Sequence, residues 1–590
     1  MSFTHLNVSS AFSAHYGVTR PERLAIAAKA MGFDALAVTD RDGLYGAIKH
    51  IGACVQLGIS PIIGVNLRVV DFGRVTILAH GHDRGKGWAG LCRIISAAQS
   101  GRGKQKNIAI DLKTLAELSR NCTILIGAEN IVSESVIVNP QLAITRLGEL
   151  QSELGIPGQL AIEVVTHLTK PGASLSLEHA RAMLELAQTS KLPSILSNAV
   201  RYLEPDDAVT ADVLDSARHL EPLGLFAPQP NAQAWLKPRS EMVRLALEIT
   251  DDPKGSIELL RTTAKLADRC RLDPESDCGW GKPKTPEQSA LGIDGNPFEV
   301  LWQKTHSAID WRYPNAPAAK LAEIQHRLSK ELIAVNQLGF ATYFLTVADV
   351  AQMIRDMRIR IAARGSGAGS LINYLLGISG VDPISEGLLF ERFLSTERST
   401  LPDIDIDVES ARRHDIYKAI FRRYGGDRVT LLSMQSTYRG RGAVRDSGLA
   451  LGLEEDRIDE IAKSIWRFSA RSFREAMANK PELEQFAKQS TEDRKLNLLV
   501  DITQRLDRLP RHISMHPCGV ILGNSELLNL TPTEPSGVGL PMSQFDKDDM
   551  DPMGMLKLDV QTIGFQGFKH LHSLRGDLRA NAVTGHYGNF

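Results

Sequence analysis

The sequence predicts a multidomain protein that combines an α/β region with an α+β region. Its 590 residues suffice for several domains, and 43% hydrophobic with 23% charged residues is an ordinary composition for a folded protein. Over residues 1 to about 215, short apolar segments alternate with helical patterns, which is typical of an α/β domain. Further along, residues 401–408 alternate aspartates with apolar residues, which predicts a strand in a second domain.

The elements of the first region follow from its periodicity. Short strands are predicted at 35–38, 61–65 and 75–79, with helical patterns at 21–31 and 45–56. This alternation predicts a barrel-like α/β domain. Downstream, residues 216–290 are mostly helical in pattern and end in a Pro- and Gly-rich stretch at 273–286 that predicts a linker, and residues 320–338 form another helix.

Three aspartates, Asp403, Asp405 and Asp407, share one face of the strand at 401–408, because alternate side chains of a strand point the same way. Ile404, Ile406 and Val408 are expected to be buried on the other face. Crowded carboxylates repel one another unless a cation neutralises them, and oxygen ligands suit Mg²⁺. The alternatives are an acidic edge strand that faces solvent and a structural Ca²⁺ loop.

A Gly- and Ser-rich loop at 364–370 precedes an apolar segment at 371–378. Small residues let backbone N–H groups approach an anion, and a helix behind the loop turns its positive end toward it, which is the pattern of a phosphate cradle. The alternative is an ordinary turn, as most Gly- and Ser-rich loops are. The loop lacks the Walker lysine and the dinucleotide fingerprint, so neither a P-loop ATPase nor a Rossmann site is expected.

Several segments, in this order, resemble the palm of bacterial C-family DNA polymerases, the DNA polymerase III alpha subunits. They lie at 364–371, 389–394 and 402–407. The segments 438–446 and 511–516 are more similar to the error-prone alpha paralogue of translesion synthesis than to the replicative subunit. The segments 544–548 and 555–559 resemble the strand that bears the third catalytic aspartate.

The resemblance implies a DNA-directed DNA polymerase that adds dNTPs to primed template by two-metal phosphoryl transfer, in error-prone or repair synthesis. Two Mg²⁺ ions would be held by Asp403, Asp405 and Asp559, with Asp407 in an auxiliary position. The nucleotide-binding residues implied by the same alignment are Arg364, Gly365, Ser366, Arg392 and Lys557. For Arg392 the alternative is a salt bridge to Glu391 or another neighbour.

The first region resembles the PHP (polymerase-and-histidinol-phosphatase) domain at 5–10, 39–44 and 197–202. It departs from the metal-binding members of that family, since positions that carry metal ligands there are occupied by Asn7, Arg41, Asn66, Ala199 and Arg201. Arginine does not ligate a metal and alanine offers no donor. We therefore expect no metal, no phosphoesterase activity and no proofreading activity in this domain, which is expected to be structural.

The resemblance also implies a domain order. A PHP-like domain with a helical extension would occupy 1–280, the palm 281–430 and 509–563, an inserted helical thumb 431–508, and a short tail 564–590, with the fingers and C-terminal domains of the family absent. His512 and His516, four residues apart, are either a metal pair or residues of the nucleotide site or core, and the family context favours the latter.

The charge distribution and the targeting features of the sequence limit the partners that can be expected. The formal net charge is −1, yet nine Lys/Arg against two Asp between residues 411 and 445 favour binding to a DNA backbone. Primer-template DNA and dNTPs are the expected partners, with other repair or replication proteins as further ones. Six scattered cysteines predict reduced thiols. The lack of a signal segment and of a membrane-length apolar segment predicts a cytoplasmic protein without a membrane role. The alternatives to a polymerase are a truncated, noncatalytic DNA- or partner-binding paralogue and a phosphoesterase.

Overall fold

The computed structural model describes residues 3–101, 108–156, 158–226, 228–394, 401–465 and 469–563. The described residues form two compact units. The first unit contains those of Met1–Cys278, Gln435–Ser514 and Pro532–Glu534, and the second those of Gly279–Met434, Met515–Thr531 and Pro535–Phe590. The tail predicted at 564–590 lies outside the described residues.

The N-terminal part of the first unit alternates helices and strands, as its sequence predicts. The strands are β1 Ala35–Arg41, β2 Ser60–Val69, β3 Gly73–Ala79, β4 Ala109–Ile110, β5 Cys122–Ile126, β6 Leu160–Val164 and β7 Ser194–Leu196. The helices are α1 Pro21–Ala30, α2 Ala47–Leu57, α3 Lys86–Ser100, α4 Leu112–Leu118, α5 Ile131–Ser135, α6 Pro140–Leu154, α7 Leu177–Thr189, α8 Ala208–His219, α9 Arg239–Thr250, α10 Pro253–Cys270 and α11 Pro274–Cys278. The three predicted strands and both predicted helices are confirmed.

These strands form one mixed sheet in the order β1-β2-β3-β5-β6-β7, with β4 paired to β2. The strand β3 is antiparallel to both β2 and β5, and the remaining pairs are parallel. Residues 5–9 are extended and form hydrogen bonds with β1 on one side and with Val200 on the other. They bring the two ends of the sheet together, so the sheet curves into a barrel-like arrangement. Its interior is packed with small and branched side chains such as Ala37, Ile62 and Leu125.

The second unit begins with helices and continues into a sheet. Its first elements are α12 Pro297–Ser307, α13 Ile309–Arg312, α14 Ala318–Leu338, α15 Ala341–Asp356, β8 Ile361–Arg364, α16 Leu371–Leu375, β9 Ile404–Glu409, α17 Arg413–Tyr424 and β10 Val429–Thr437. The helix predicted at 320–338 is confirmed as α14. The stretch predicted as a linker at 273–286 contains the boundary between the two units, at Cys278 and Gly279. It is ordered, because it contains α11 and because Lys284 is buried and donates to the carbonyls of Gly279 and Met553.

Five helices then follow within the first unit. They are α18 Gly440–Ala450, α19 Glu455–Ser464, α20 Phe473–Asn479, α21 Glu484–Glu492 and α22 Arg494–Arg505. The helix α18 contacts α8, and the backbone N–H of Leu223 donates to the carbonyl of Ala450 at 3.0 Å. The Tyr438 hydroxyl donates to Asp446 at 2.6 Å, and Arg511 donates to the same carboxylate. The contacts with α8 and Leu223 fix the inserted helices to the N-terminal part of the chain, and those of Asp446 fix α18 to Tyr438 and Arg511 on either side of the insertion.

The remaining elements complete the sheet of the second unit. They are β11 Pro510–Leu522, α23 Leu527–Leu530, β12 Thr533–Pro535, β13 Pro541–Asp546, α24 Lys547–Met553 and β14 Leu556–Ile563. The sheet runs β13-β10-β11-β14-β9-β8. The strand β14 is antiparallel to β11 and parallel to β9, and β8 is antiparallel to β9. One face packs on α14, α15 and α17 through buried residues such as Leu332, Phe344 and Ile420.

Membrane-spanning potential is low among the described helices. None of them alone is long and apolar enough to cross a bilayer. The helices α14 and α15 pass a test of length and composition only as a pair bent by 112°, and their apolar residues Leu328 and Val347 belong to the buried core of the second unit.

Candidate active site

The central strands β9 and β14 bring the predicted aspartates together. In their parallel register Asp559 lies directly opposite Asp405, and Leu558 lies opposite Ile404. Asp403 immediately precedes β9. The predicted division of faces is confirmed, since Ile404, Ile406 and Val408 on β9 and Leu556, Leu558 and Val560 on β14 are at most 2% exposed. The carboxylates therefore lie on the face opposite to the apolar core.

Lys557 lies among these carboxylates. Its Nζ is 3.1 Å from Oδ2 of Asp559 and 3.5 Å from Oδ1 of Asp403. Burial lowers the pKa of Lys557, but the carboxylates of Asp559 and Asp403 outweigh burial and hold the pKa above its usual value. Lys557 is therefore held as a cation between Asp559 on β14 and Asp403, which immediately precedes β9.

One lysine does not neutralise the cluster. Burial, and next the charges of Asp559 and Asp403, raise the pKa of Asp405 to about 6. The Oδ1 atom of Asp559 is buried and accepts no hydrogen bond from the described residues. Ionised oxygens that lack partners favour a divalent cation, and carboxylate oxygens are the ligands that Mg²⁺ prefers. The residues present thus fit a magnesium site.

The Gly-rich loop lies next to the cluster. On the adjoining strand β8, Arg364 pairs in register with Asp405, and its Nε is 3.6 Å from Oδ2 of Asp407. Burial raises the pKa of Asp407, and Arg364 opposes that shift. Gly365 has φ +75°, and a Cβ on it would lie 3.5 Å from Oδ2 of Asp405. Ser366 follows it and is exposed.

Arg392 belongs to a neighbouring turn. It ends a short 3-10 helix, Phe390–Arg392, that contacts the 3-10 helix of the Gly-rich loop, Gly365–Gly369. Gly369 permits this approach, because a Cβ there would lie 2.9 Å from the carbonyl oxygen of Leu389. Arg392 is exposed, and within the described part of the chain it forms no ion pair, so the alternative of a salt bridge to Glu391 is not seen.

The helix predicted behind the loop is present, but the backbone N–H groups at its positive end already bind a carboxylate of the protein. The helix α16 has only five residues, and the backbone N–H groups of Leu371 and Ile372 donate to the carboxylate of Glu331 at 3.0 and 3.2 Å. Glu331 is fully buried and is also bound by Arg327 and by the hydroxyl of Ser370. An internal carboxylate therefore occupies the donors that an anion would need.

His516 and Cys518 lie beside Asp559 on β11. The Nδ1 atom of His516 is 4.0 Å from Oδ1 of Asp559 and accepts the backbone N–H of Gly519 at 3.0 Å. His512 is exposed on the same strand. Sequence reasoning did not single out Cys518, whose proximity to Asp559 depends on the antiparallel pairing of β11 with β14.

The residues at the predicted degenerate metal site of the first unit have protein partners. Asp40 is buried and accepts hydrogen bonds from the hydroxyls of Ser10 and Ser13 at 2.9 and 2.8 Å. Asp42 binds Arg74 in a bidentate ion pair. His5 contacts the carbonyl oxygen of Lys237 at 2.8 Å. These contacts engage both carboxylates and one ring nitrogen of His5, whose Nδ1 has no hydrogen-bond partner among the described residues.

A cavity of about 310 Å³ lies at the same site. Arg41 and Arg201, two of the residues at metal-ligand positions, both stack on Tyr16, at 3.5 and 3.8 Å from its ring centroid. Arg41 pairs with Glu129, and Arg201 pairs with Asp215 at 3.0 Å. Sequence reasoning missed Tyr16, Glu129 and Asp215, which carry no local signal because each partner is distant in the chain.

Comparisons with known families agree with this geometry. The family model of the bacterial DNA polymerase III alpha NTPase domain matches residues 299–562, which include every aspartate of the cluster, and the PHP domain model matches residues 5–154. The chain belongs to the bacterial DNA polymerase III alpha family. Within this DNA polymerase III alpha family member, the PHP match covers the first strands of the barrel-like sheet.

Curated relatives of this DNA polymerase III alpha family member align with nearly the whole chain. Error-prone DNA polymerases from Symbiobacterium thermophilum, Allorhizobium ampelinum and Pseudomonas aeruginosa are 31%, 30% and 31% identical over 95%, 96% and 99% of this chain. The matches cover 51%, 48% and 53% of those proteins. The chain thus spans about half the length of the curated relatives that it matches.

Proposed function

We propose that this chain is a DNA-directed DNA polymerase of the C family that adds dNTPs to primed template in error-prone or repair synthesis. The observation that carries the proposal is the register of β9 and β14, which sets Asp405 opposite Asp559. Three carboxylates, Asp403, Asp405 and Asp559, would hold two Mg²⁺ ions. The names of the curated relatives support error-prone synthesis.

Each remaining residue of the site has a role that its position supports. When bound, the Mg²⁺ ions supply Lewis-acid activation of the primer hydroxyl and of the leaving pyrophosphate. Lys557 lies between Asp403 and Asp559 and offsets negative charge beside the reacting phosphate. Arg364 and Arg392 are exposed, and each guanidinium group can bind two oxygens of the triphosphate at once. Gly365 and Ser366 leave room and donors for the same triphosphate.

The domain roles are part of the same proposal. Residues 281–430 and 509–563 act as the palm, and residues 431–508 act as a thumb that contacts the duplex backbone. Phosphate contacts of this kind carry no sequence information and weaken as salt rises. Arg445 and Lys463 on the inserted helices are exposed and share one carboxylate, Asp459, which leaves a net positive charge that supports this assignment. Other repair or replication proteins are proposed as partners of the complete assembly.

Primer extension tests the proposal. The purified chain, Mg²⁺, dNTPs and a labelled primer-template are compared with the double variant Asp403→Ala/Asp405→Ala, on undamaged and abasic templates. We expect extension by the parent chain and none by the variant, with primer-template binding retained in both. Binding without extension by the parent chain would refute catalysis and support a noncatalytic DNA-binding protein.

We also propose that the PHP-like domain binds no metal. The bidentate pair of Asp42 with Arg74 and the hydrogen bonds to Asp40 support this. The triple variant Asp403→Ala/Asp405→Ala/Asp559→Ala removes the palm ligands, so after dialysis against Mn²⁺ and then buffer it is expected to retain no stoichiometric metal. Retained Mn²⁺ would place a metal site in the first unit.

A further inference from the structure

Cys518 differs from the other cysteines in its surroundings. The other five are buried in the first unit, whereas Cys518 is partly exposed and lies in the second. One ring nitrogen of His516, the Sγ of Cys518 and a carboxylate oxygen of Asp559 all lie within 4.8 Å of one another. Imidazole, thiolate and carboxylate are together a donor set for zinc rather than for magnesium.

We propose that His516, Cys518 and Asp559 form a binding site for a thiophilic divalent ion, Zn²⁺, with a water as the fourth ligand. Two observations support it. The three donor atoms are already gathered, and the Oδ1 of Asp559, a residue only 7% exposed, has no hydrogen-bond partner among the described residues. A buried, unpartnered carboxylate oxygen beside a thiol and an imidazole is the arrangement that a cation completes.

Binding requires small local changes. Tetrahedral zinc holds its ligands about 3.5 Å from one another, so the side chains must close by about 1 Å. The Cys518 thiol loses its proton to solvent as the Zn–S bond forms, so one proton is released for each ion bound. If the ion uses Nδ1 of His516, it replaces the hydrogen bond from the backbone N–H of Gly519.

The site shares Asp559 with the carboxylate cluster. Zn²⁺ at His516 and Cys518 therefore competes with Mg²⁺ for Asp559. The consequence, a lower polymerase activity, rests on the proposed function. Thiolate ligands select Zn²⁺ over Mg²⁺. Trace Zn²⁺ therefore occupies the site even when Mg²⁺ is in excess. Cys518 thereby makes the palm sensitive to zinc.

Cobalt spectroscopy tests the site without relying on activity. Co²⁺ substitutes for Zn²⁺ and gives a thiolate-to-cobalt charge-transfer absorption that no Mg²⁺ site produces. We expect the full chain to show this absorption with one equivalent of Co²⁺, and one equivalent of Zn²⁺ to abolish it. The variant C518S is expected to lose it, H516Q to bind Co²⁺ at least 10-fold more weakly, and C54A, which removes a buried thiol, to keep it.

The same measurement separates this proposal from the proposed function. The double variant Asp403→Ala/Asp405→Ala retains all three zinc ligands and is expected to keep the cobalt absorption even though it cannot extend a primer. Circular dichroism spectra that match the parent chain establish that each variant is folded. An absent cobalt absorption in the parent chain, or one that persists in C518S, would overturn the zinc site whatever the polymerase assay shows.

Discussion

At the scale of single residues, the charges around Asp405 determine how stable the carboxylate cluster is. Asp405 lies within a cluster that holds Asp403 and Asp559, and the nearby cations Lys557 and Arg364 offset only part of its charge. Burial and the neighbouring carboxylates raise its pKa to about 6, so at neutral pH the ionised form is held at a cost to folding. The metal-free protein therefore carries a destabilised site that a divalent cation relieves.

Replacing Asp405 by asparagine removes that destabilising charge. We expect Asp405→Asn to raise the stability of the metal-free protein at pH 7 by about 1–2 kcal/mol, after discounting for partial exposure, and to abolish stabilisation by Mg²⁺. Thermal unfolding in EDTA and in Mg²⁺ measures both effects. Asp415→Asn is the control, because Asp415 is an exposed partner of Arg412 outside the cluster. A Mg²⁺ shift that survives in Asp405→Asn would contradict the prediction.

Gly369 is constrained by space. Its Cβ position lies 2.9 Å from the carbonyl oxygen of Leu389, a backbone atom that cannot turn aside. We expect Gly369→Ala to destabilise the protein by about 1–3 kcal/mol through overpacking. Gly380→Ala is the matched control, since nothing lies within 4 Å of its Cβ position. Urea unfolding compares the two variants, and equal stabilities would count against the close contact.

At the scale of elements, sequence periodicity predicts strands and helices well and their polar partners poorly. Alternation of Asp403, Asp405 and Asp407 with apolar residues suffices to assign the faces of β9, because a strand repeats every two residues. Behind the loop at 364–370, the first N–H groups of the following helix bind Glu331, some forty residues upstream. Such long-range pairing leaves no trace in local sequence, and Cys518 was missed for the same reason.

Glu331 links the helices α14 and α16. Its buried carboxylate binds Arg327, Ser370 and two backbone N–H groups of α16. We expect Glu331→Ala to destabilise the protein by about 3–5 kcal/mol, because it leaves a guanidinium and backbone donors without an acceptor. Glu323→Ala, on the same helix but in an exposed pair with Lys320, is expected to cost less than about 1 kcal/mol. Denaturant unfolding measures the difference, and similar costs would argue against the link.

Acid sensitivity is a property of the whole first unit. Burial lowers the pKa of His5, His50, His80 and His167 from 6.5 to about 4. In the unfolded chain these histidines bind protons near pH 6.5, so the stability that they confer is present above pH 6.5 and is lost as the pH falls toward 4. Asp40 opposes this in part, because burial raises its pKa to about 6 and its contribution decreases as the pH rises from 3.8 to 6.

The substitution His50→Gln tests this pH dependence. The His50 ring is fully buried and its Nε2 lies 2.9 Å from the carbonyl oxygen of Leu36, a bond that glutamine can donate. We expect the loss of unfolding free energy between pH 7 and pH 4 to shrink by on the order of 3 kcal/mol in this variant. His326→Gln, which changes an exposed histidine, is expected to leave the pH profile unchanged. Identical profiles for all three proteins would contradict the prediction.

The order of the strands has a consequence for how the protein is made. The strand β14 lies between β11 and β9, although among the described residues it is the last strand of the sheet in chain order. Until it emerges from the ribosome, β9 and β11 have exposed edges, and the aspartates at 403 and 405 lack Asp559. The carboxylate cluster is thus completed only when β14 joins the sheet, and a nascent chain stopped before residue 556 would lack Asp559 and be prone to aggregation.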